Sequence, residues 1–127
     1  MIGFIMVGTN NLETSSRFYD IILSTIGLSK TLVTERYIGY ADKNTKDKIE
    51  FYITKPVNKE SASYGNGTQI SFLVDSRVLV DEFYNIALEN GAKSEGGPGA
   101  RDPNNTSYYA YFRDLDGNKI CAYYENI

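Results

Sequence analysis

The chain has no histidine, no tryptophan and a single cysteine, Cys121, among its 127 residues. Without histidine, no Ser-His-Asp or Cys-His nucleophile system can be assembled. A histidine-built metal centre is excluded for the same reason. One cysteine leaves no partner for an intrachain disulfide. No apolar run approaches the roughly 18 residues of a membrane-spanning helix. No long block of like charge is present, and the net charge is -3, so neither nucleic acid nor an anionic membrane surface is an expected partner. The opening segment "MIGFIMVGTN" has no basic residues ahead of its apolar stretch and does not read as a secretory signal. A cytoplasmic protein is the expectation. "NGT" and "NNT" match glycosylation acceptors in form, but without such a signal they read as turns.

Tyrosine is what the chain has in excess: 11 residues. Its flat apolar body and polar tip suit strands and ligand-facing walls alike. The length predicts one compact domain with a real core.

The sequence repeats itself once. "FYDI" at 18–21 returns as "FYNI" at 83–86, and "KIEFY" at 48–52 returns as "KICAY" at 119–123, in the same order in each half. In the first half, "FIMVG" reads as a strand. Asn10 or Asn11 caps a helix, with Glu13 completing a box-like pattern after Asn10. Leu12, Phe18, Tyr19, Ile22, Leu23 and Ile26 fall at helical spacing, and Gly27 is a plausible C-cap. Strand-like pieces "KTLVTE", "YIGYA" and "KIEFYIT" follow. In the second half, "QISFLVD" is the strand. Asp75 or Ser76 starts a helix carrying Val78, Leu79, Phe83, Ile86 and Ala87, which Asn90-Gly91 ends. "EGGPGARDPNN" reads as a glycine-rich loop, and "SYYAYFR" and "KICAYY" as the last strands, joined by the turn "DLDGN". The expected organisation is an α+β domain of two βαβββ modules, 1–56 and 68–127, joined by a polar linker at 57–67. The modules would form a curved mixed sheet around a cleft, with the helices outside.

Side chains alternate across a strand. By that parity one face carries Ile5, Val7, Ile49, Phe51, Ile53, Ile70, Phe72, Val74, Ile120 and Ala122, and belongs under the helices. The other carries Phe4, Met6, Glu50, Tyr52, Thr54, Gln69, Ser71, Lys119, Cys121 and Tyr123. Polar groups in that set argue against a sealed core. The mixed face should border water, a partner chain or a ligand cleft. The duplication makes Phe4 equivalent to Gln69, and Glu50 to Cys121, so a pseudo-twofold would bring these four together.

The paired modules, "NNLETSSRFYDIIL" after the first strand and "YFRDLDGNKI" before the last resemble the vicinal oxygen chelate superfamily over essentially the whole chain. That superfamily includes glyoxalases, extradiol dioxygenases and bleomycin-resistance proteins. The resemblance implies that a divalent cation, where one is bound, is held at the positions of Phe4, Glu50, Gln69 and Cys121. Phe4 has no lone pair to offer and Cys121 is a soft ligand, so a metal-free protein is expected. The alternative is a divalent metal at Glu50 and Gln69. Glu50 is the candidate general base, with partial burial expected to raise its pKa. Cys121 reads as a small cleft-wall residue, since nothing activates its thiol. Gln69 would orient a ligand or bond Glu50 or a tyrosine. The ligand-binding cleft is expected to use Phe4, Met6, Glu50, Tyr52, Gln69, Ser71, Arg101, Tyr109, Tyr111, Cys121 and Tyr123. Arg36 and Tyr37 begin a strand, and the sequence does not decide whether they reach the cleft mouth. The resulting expectation is a binding protein for a small aromatic or amphipathic molecule. The alternative is a lactoylglutathione-lyase-like enzyme or another lyase, isomerase or dioxygenase. A homodimer is expected, with the cleft formed within one chain or between chains.

Overall fold

The computed structural model describes residues 1–104 and 106–126. The first module runs β1 (Ile5–Gly8), α1 (Leu12–Ser24), β2 (Leu28–Val33), β3 (Tyr37–Asp42) and β4 (Ile49–Thr54). The second repeats that order with β5 (Ile70–Leu73), α2 (Arg77–Glu89), β6 (Lys93–Gly99), β7 (Ser107–Arg113) and β8 (Lys119–Glu125). Each module makes its own four-stranded sheet, in the orders β1-β4-β3-β2 and β5-β8-β7-β6. The pairs β1–β4 and β5–β8 are parallel and the rest antiparallel. No helix is long and apolar enough to cross a membrane among the described residues.

Local chemistry explains where the helices start and stop. The Asn11 side chain accepts from the Thr14 amide at 3.0 Å and caps α1. Glu13 does not close a capping box; it pairs with Arg17 one turn on, at 2.9 Å. Asn10 is left free for a longer-range role. In the second module Ser76, not Asp75, is the cap, accepting from the Leu79 amide. Gly91, at φ 105, then lets the chain turn out of α2. The buried stripe of α1 is Phe18, Tyr19, Ile22 and Leu23, and that of α2 is Val80, Phe83, Tyr84 and Ala87. Val78 lies off that stripe and is exposed.

"EGGPGARDPNN" proves to be only partly a loop. Glu95 to Gly99 belong to β6, at the edge of its sheet. An edge tolerates Pro98, whose missing amide hydrogen deprives no neighbour. Two register irregularities interrupt its pairing with β7.

One hydrophobic core serves both modules. Phe51 of β4 meets Phe72 of β5 at 5.4 Å between ring centroids, and Phe72 meets Phe83 of α2 at 5.9 Å. Phe18 of α1 reaches Phe112 of β7 at 6.4 Å. Burying such a ring contributes roughly 2 kcal/mol or more.

A buried carboxylate ties the halves together. Asp114, in the β7–β8 turn, accepts from the amides of Asp116 and Asn118, from the Asn118 side chain, and from the Tyr19 hydroxyl of α1 at 2.5 Å. Asn118 also donates to the Gly8 carbonyl at the end of β1, and Asp116 accepts from the Asn10 amide. Gly117 in the same turn has φ 89, and the Tyr64 ring of the linker lies where a Cβ would project. "DLDGN" is therefore a cross-module clamp.

Two predictions follow from the clamp. Asp114→Ala strands four donors and should cost about 3 kcal/mol or more in urea unfolding, while Tyr19→Phe should cost about 1 kcal/mol. Burial, then Asp114, push the Tyr19 phenol well above its ordinary value of 10.0, and burial raises Tyr40 likewise. In the unfolded chain both ionise near the ordinary value; in the folded chain they stay protonated. Their contribution is therefore complete below about pH 10 and lost as pH rises further. Urea midpoints measured from about pH 8 to about pH 11 should fall, and should fall less steeply in Tyr19→Phe.

Candidate functional site

The face of each sheet away from the core carries the candidate residues. On the first sheet, register places Met6, Tyr52 and Gly39 side by side across β1, β4 and β3. Phe4, just ahead of β1, sets its ring edge-on to Tyr52 at 5.0 Å, and Tyr37 approaches Tyr52 from the other side at 5.6 Å. The Arg36 guanidinium covers Tyr37 at 5.1 Å. Phe4 is 55% exposed and Met6 40%.

Here simple alternation fails at one point. Tyr40 pairs with Phe51, but Ala41 pairs with Ile49, so Glu50 is an extra residue in the ladder. The irregularity carries Ile49 off the core face assigned by parity. Its side chain stands over Gly39, beside Tyr52, where a Cβ on Gly39 would meet it at 2.9 Å. Glu50 itself is exposed, and no hydrogen bond or ion pair engages it among the described residues. The partial burial expected of it is not present, because the distortion lifts it out of the strand's packed surface.

The second sheet bears a more ordered wall. Ser71, Cys121, Tyr111 and Gly96 form one row across β5, β8, β7 and β6. Leu73, Tyr123, Tyr109 and Gly99 form the next. Tyr109 lies 5.4 Å from Tyr123 and 6.1 Å from Tyr111, with interplanar angles of 9° and 1°. Three tyrosine rings thus stand nearly parallel, each partly exposed. Cys121 is fully buried beneath them, and desolvation raises its thiol pKa against the opposing hydrogen bond of Ser71. Such a thiol is a packing residue rather than a nucleophile. Gln69 precedes β5 and donates to Ser71 Oγ at 3.0 Å, not to Glu50 or a tyrosine.

The glycines of β6 have a role in this wall. Gly96 has φ 151, and a Cβ there would meet the Tyr111 ring at 3.2 Å and Arg101 at 3.4 Å. A Cβ on Gly99 would meet Arg101 at 2.9 Å. Arg101 therefore lies over a strip of bare backbone, donates to the Gly97 carbonyl at 2.6 Å, and places its guanidinium 5.6 Å from the Tyr111 centroid. Asp102 holds the following turn through the amides and hydroxyls of Thr106 and Ser107, and those hydrogen bonds push its carboxyl far below the usual range. The Lys119 ammonium stands 5.1 Å from the same Tyr111 centroid. Parity places Lys119 on this face, and its pairing with Arg113 between β7 and β8, two residues from Cys121, is the sequence signal that it belongs to the site.

The four positions that the sequence resemblance marks for a metal do not fit one. Phe4 presents a ring, Gln69 is bonded to Ser71, and Cys121 is buried. Phe4 and Glu50 belong to one sheet, Gln69 and Cys121 to the other, and the sheets are not hydrogen-bonded to each other. Among the described residues no group of three or more His, Cys, Asp or Glu side chains could hold a metal ion. Among the described residues no hydrogen bond, ring contact or ion pair joins the Phe4–Met6–Tyr52 patch to the tyrosine wall. A hollow lined by Thr9, Asn10, Arg36, Lys55 and Lys59 lies against the linker and meets the first patch at Arg36.

The comparisons agree with this architecture. The family model described as Glyoxalase/Bleomycin resistance protein/Dioxygenase superfamily matches residues 1–122. A crystal structure of a glyoxalase/bleomycin resistance protein from Albidiferax ferrireducens T118 superposes with a TM-score of 0.88 at 37% identity, covering 99% of each chain. A lactoylglutathione lyase from Agrobacterium tumefaciens shares the fold at 19% identity, with a TM-score of 0.69 over 98% of this chain and 92% of that one. A hypothetical protein from S. aureus does so at 21% identity, with a TM-score of 0.72 over 98% and 94%. No curated protein matches the chain. On the family match and the close structural relative together, the chain belongs to the glyoxalase/bleomycin resistance protein/dioxygenase superfamily.

Proposed function

We propose that the protein binds a small aromatic or amphipathic molecule without a metal, and that two copies of the chain form the binding cleft. The observation that carries this is the tyrosine wall of the second sheet: three near-parallel rings left partly open on a face that helices do not cover. Rings held by neighbouring strands offer a flat apolar surface at little entropic cost. A wall alone does not enclose a ligand, since binding sites are concave. The first sheet carries a patch of matching character that could form the opposite wall: Phe4, Met6, Tyr37 and Tyr52.

Exposure supports closure by a second copy. Phe4, Met6 and Leu73, at 66% exposed, flank these faces and leave apolar surface in water. A twofold dimer would set the first sheet of one chain opposite the second sheet of the other and cover both patches twice. The alternative, a lyase or isomerase, rests on Glu50 alone. Its carboxylate has no partner to orient it, and the site offers no second acid or base held beside it.

Native mass spectrometry of the untagged protein, purified without added metal or chelator, tests the reading. A metal-free dimer is expected; a stoichiometric divalent metal would overturn it. Leu73→Glu should weaken the dimer by roughly tenfold or more, read by sedimentation. Glu50→Gln should leave affinity for a neutral aromatic ligand within about twofold, because no charge on the ligand needs that carboxylate. A large loss of affinity would show that the carboxylate contacts the ligand and overturn this placement, whereas loss of a turnover with affinity unchanged would favour the enzyme reading.

A further inference from the structure

Two cations approach one ring of the tyrosine wall, Arg101 at 5.6 Å and Lys119 at 5.1 Å from the Tyr111 centroid. Among the described residues Arg101 and Lys119 form no ion pair, although acidic residues outnumber basic ones, 16 to 13, in the chain. Arg113, on the same face, is different. It is bound to Glu95 at 2.7 Å and to the Gly117 carbonyl at 3.1 Å. Lys119 also lowers the Glu95 carboxyl, but only as the smallest influence, behind Arg113. Arg113 is thus satisfied at the rim, while the two cations at Tyr111 are left with unused donors.

Arg101 is also held in place rather than swinging in solvent. One of its five N–H donors is spent on Gly97, and the bare backbone of Gly96 and Gly99 gives the guanidinium its seat. The Asp102 turn anchors the chain on its other side. A positioned, planar guanidinium, at a ring that an ammonium also approaches, is suited to a carboxylate, which it can bind through two parallel hydrogen bonds.

The spacing of the rings limits how the rest of the ligand sits. A ring inserted between two others needs a contact of about 3.5 Å on each side, roughly 7 Å in all. The tyrosine centroids are 5.4 and 6.1 Å apart, so nothing intercalates. The ligand must lie against the wall, with its charged end at Tyr111 and its body toward Tyr109 and Tyr123.

We infer that the ligand is a planar aromatic carboxylate, its anionic group held by Arg101 and Lys119 and its ring laid on the wall of Tyr109, Tyr111 and Tyr123. This rests on the proposed binding role and adds the charge and class of what is bound.

The test is a calorimetric titration of the intact protein with sodium 2-naphthoate and with its neutral counterpart, 2-naphthalenemethanol. The naphthoate should bind roughly tenfold tighter. That advantage should shrink as salt rises from about 0.05 M to about 0.5 M, because exposed charges are screened. It should vanish in the Arg101→Gln/Lys119→Gln double variant and persist in Arg113→Gln. Both cations are on the surface, and matching thermal midpoints would show that the variants fold. The salt series needs no variant at all. Equal affinity for the two compounds, or an advantage that survives the double variant, overturns the carboxylate assignment while leaving an aromatic site standing. Binding of neither compound overturns the site itself.

Discussion

The Asp114 carboxylate is the constraint from which the arrangement of the two modules follows. A buried acid is costly unless its oxygens are occupied, and here backbone amides, an asparagine side chain and a tyrosine hydroxyl occupy them. Burial raises its pKa while these bonds pull the other way, so the group is stabilised by the clamp rather than by water. The donors come from both halves of the chain. Tyr19 belongs to the first helix, and Asn118 relays the contact to the end of β1. The bonds are directional, so the modules cannot slide or rotate past each other without losing them. A hydrophobic core alone would be more permissive.

With the modules fixed in this way, the core faces of both sheets turn to the helices and to each other, and the mixed faces turn outward. That accounts for exposed apolar side chains such as Phe4 and Leu73 in a chain whose core is otherwise complete. Irregular backbone then sets the detail of each open face. In β4 the extra residue Glu50 brings Ile49 beside Tyr52. In β6 the missing side chains of Gly96 and Gly99 leave bare backbone on which Arg101 lies. The two faces end up different in kind, one apolar and aromatic, the other aromatic and cationic, although they descend from the same repeated plan. Such asymmetry is suited to a site in which one wall is contributed by each of two chains.

Much of this was legible in the residues. The repeated "FYDI" and "FYNI" marked the helices because their aromatic pairs recur at the spacing of a buried stripe. Alternation along "SYYAYFR" separated Tyr109 and Tyr111 from Ala110 and Phe112, and the structure buries the second pair. What failed did so where alternation is broken by backbone. Ile49 was assigned to the core because nothing in "KIEFYIT" announces an extra residue. "EGGPG" looked like a loop because glycine and proline weaken a strand, yet an edge position tolerates both. Gln69 and Glu50 fall in different modules, and equivalence under a duplication gives position within a module, not distance between modules.

The sequence by itself determined the two helices and, where pairing is regular, which side chains share a face. All of these follow from short-range periodicity and from the chemistry of neighbouring residues. It also determined what the site lacks, since no arrangement of the chain can supply a histidine. The tertiary structure alone decided that the two open faces lie on separate sheets, that "DLDGN" locks the halves rather than serving a site, and that Arg101 and Lys119 meet over Tyr111. Those outcomes depend on contacts between residues far apart in the chain and on local departures from regular pairing, and no spacing along a strand encodes either.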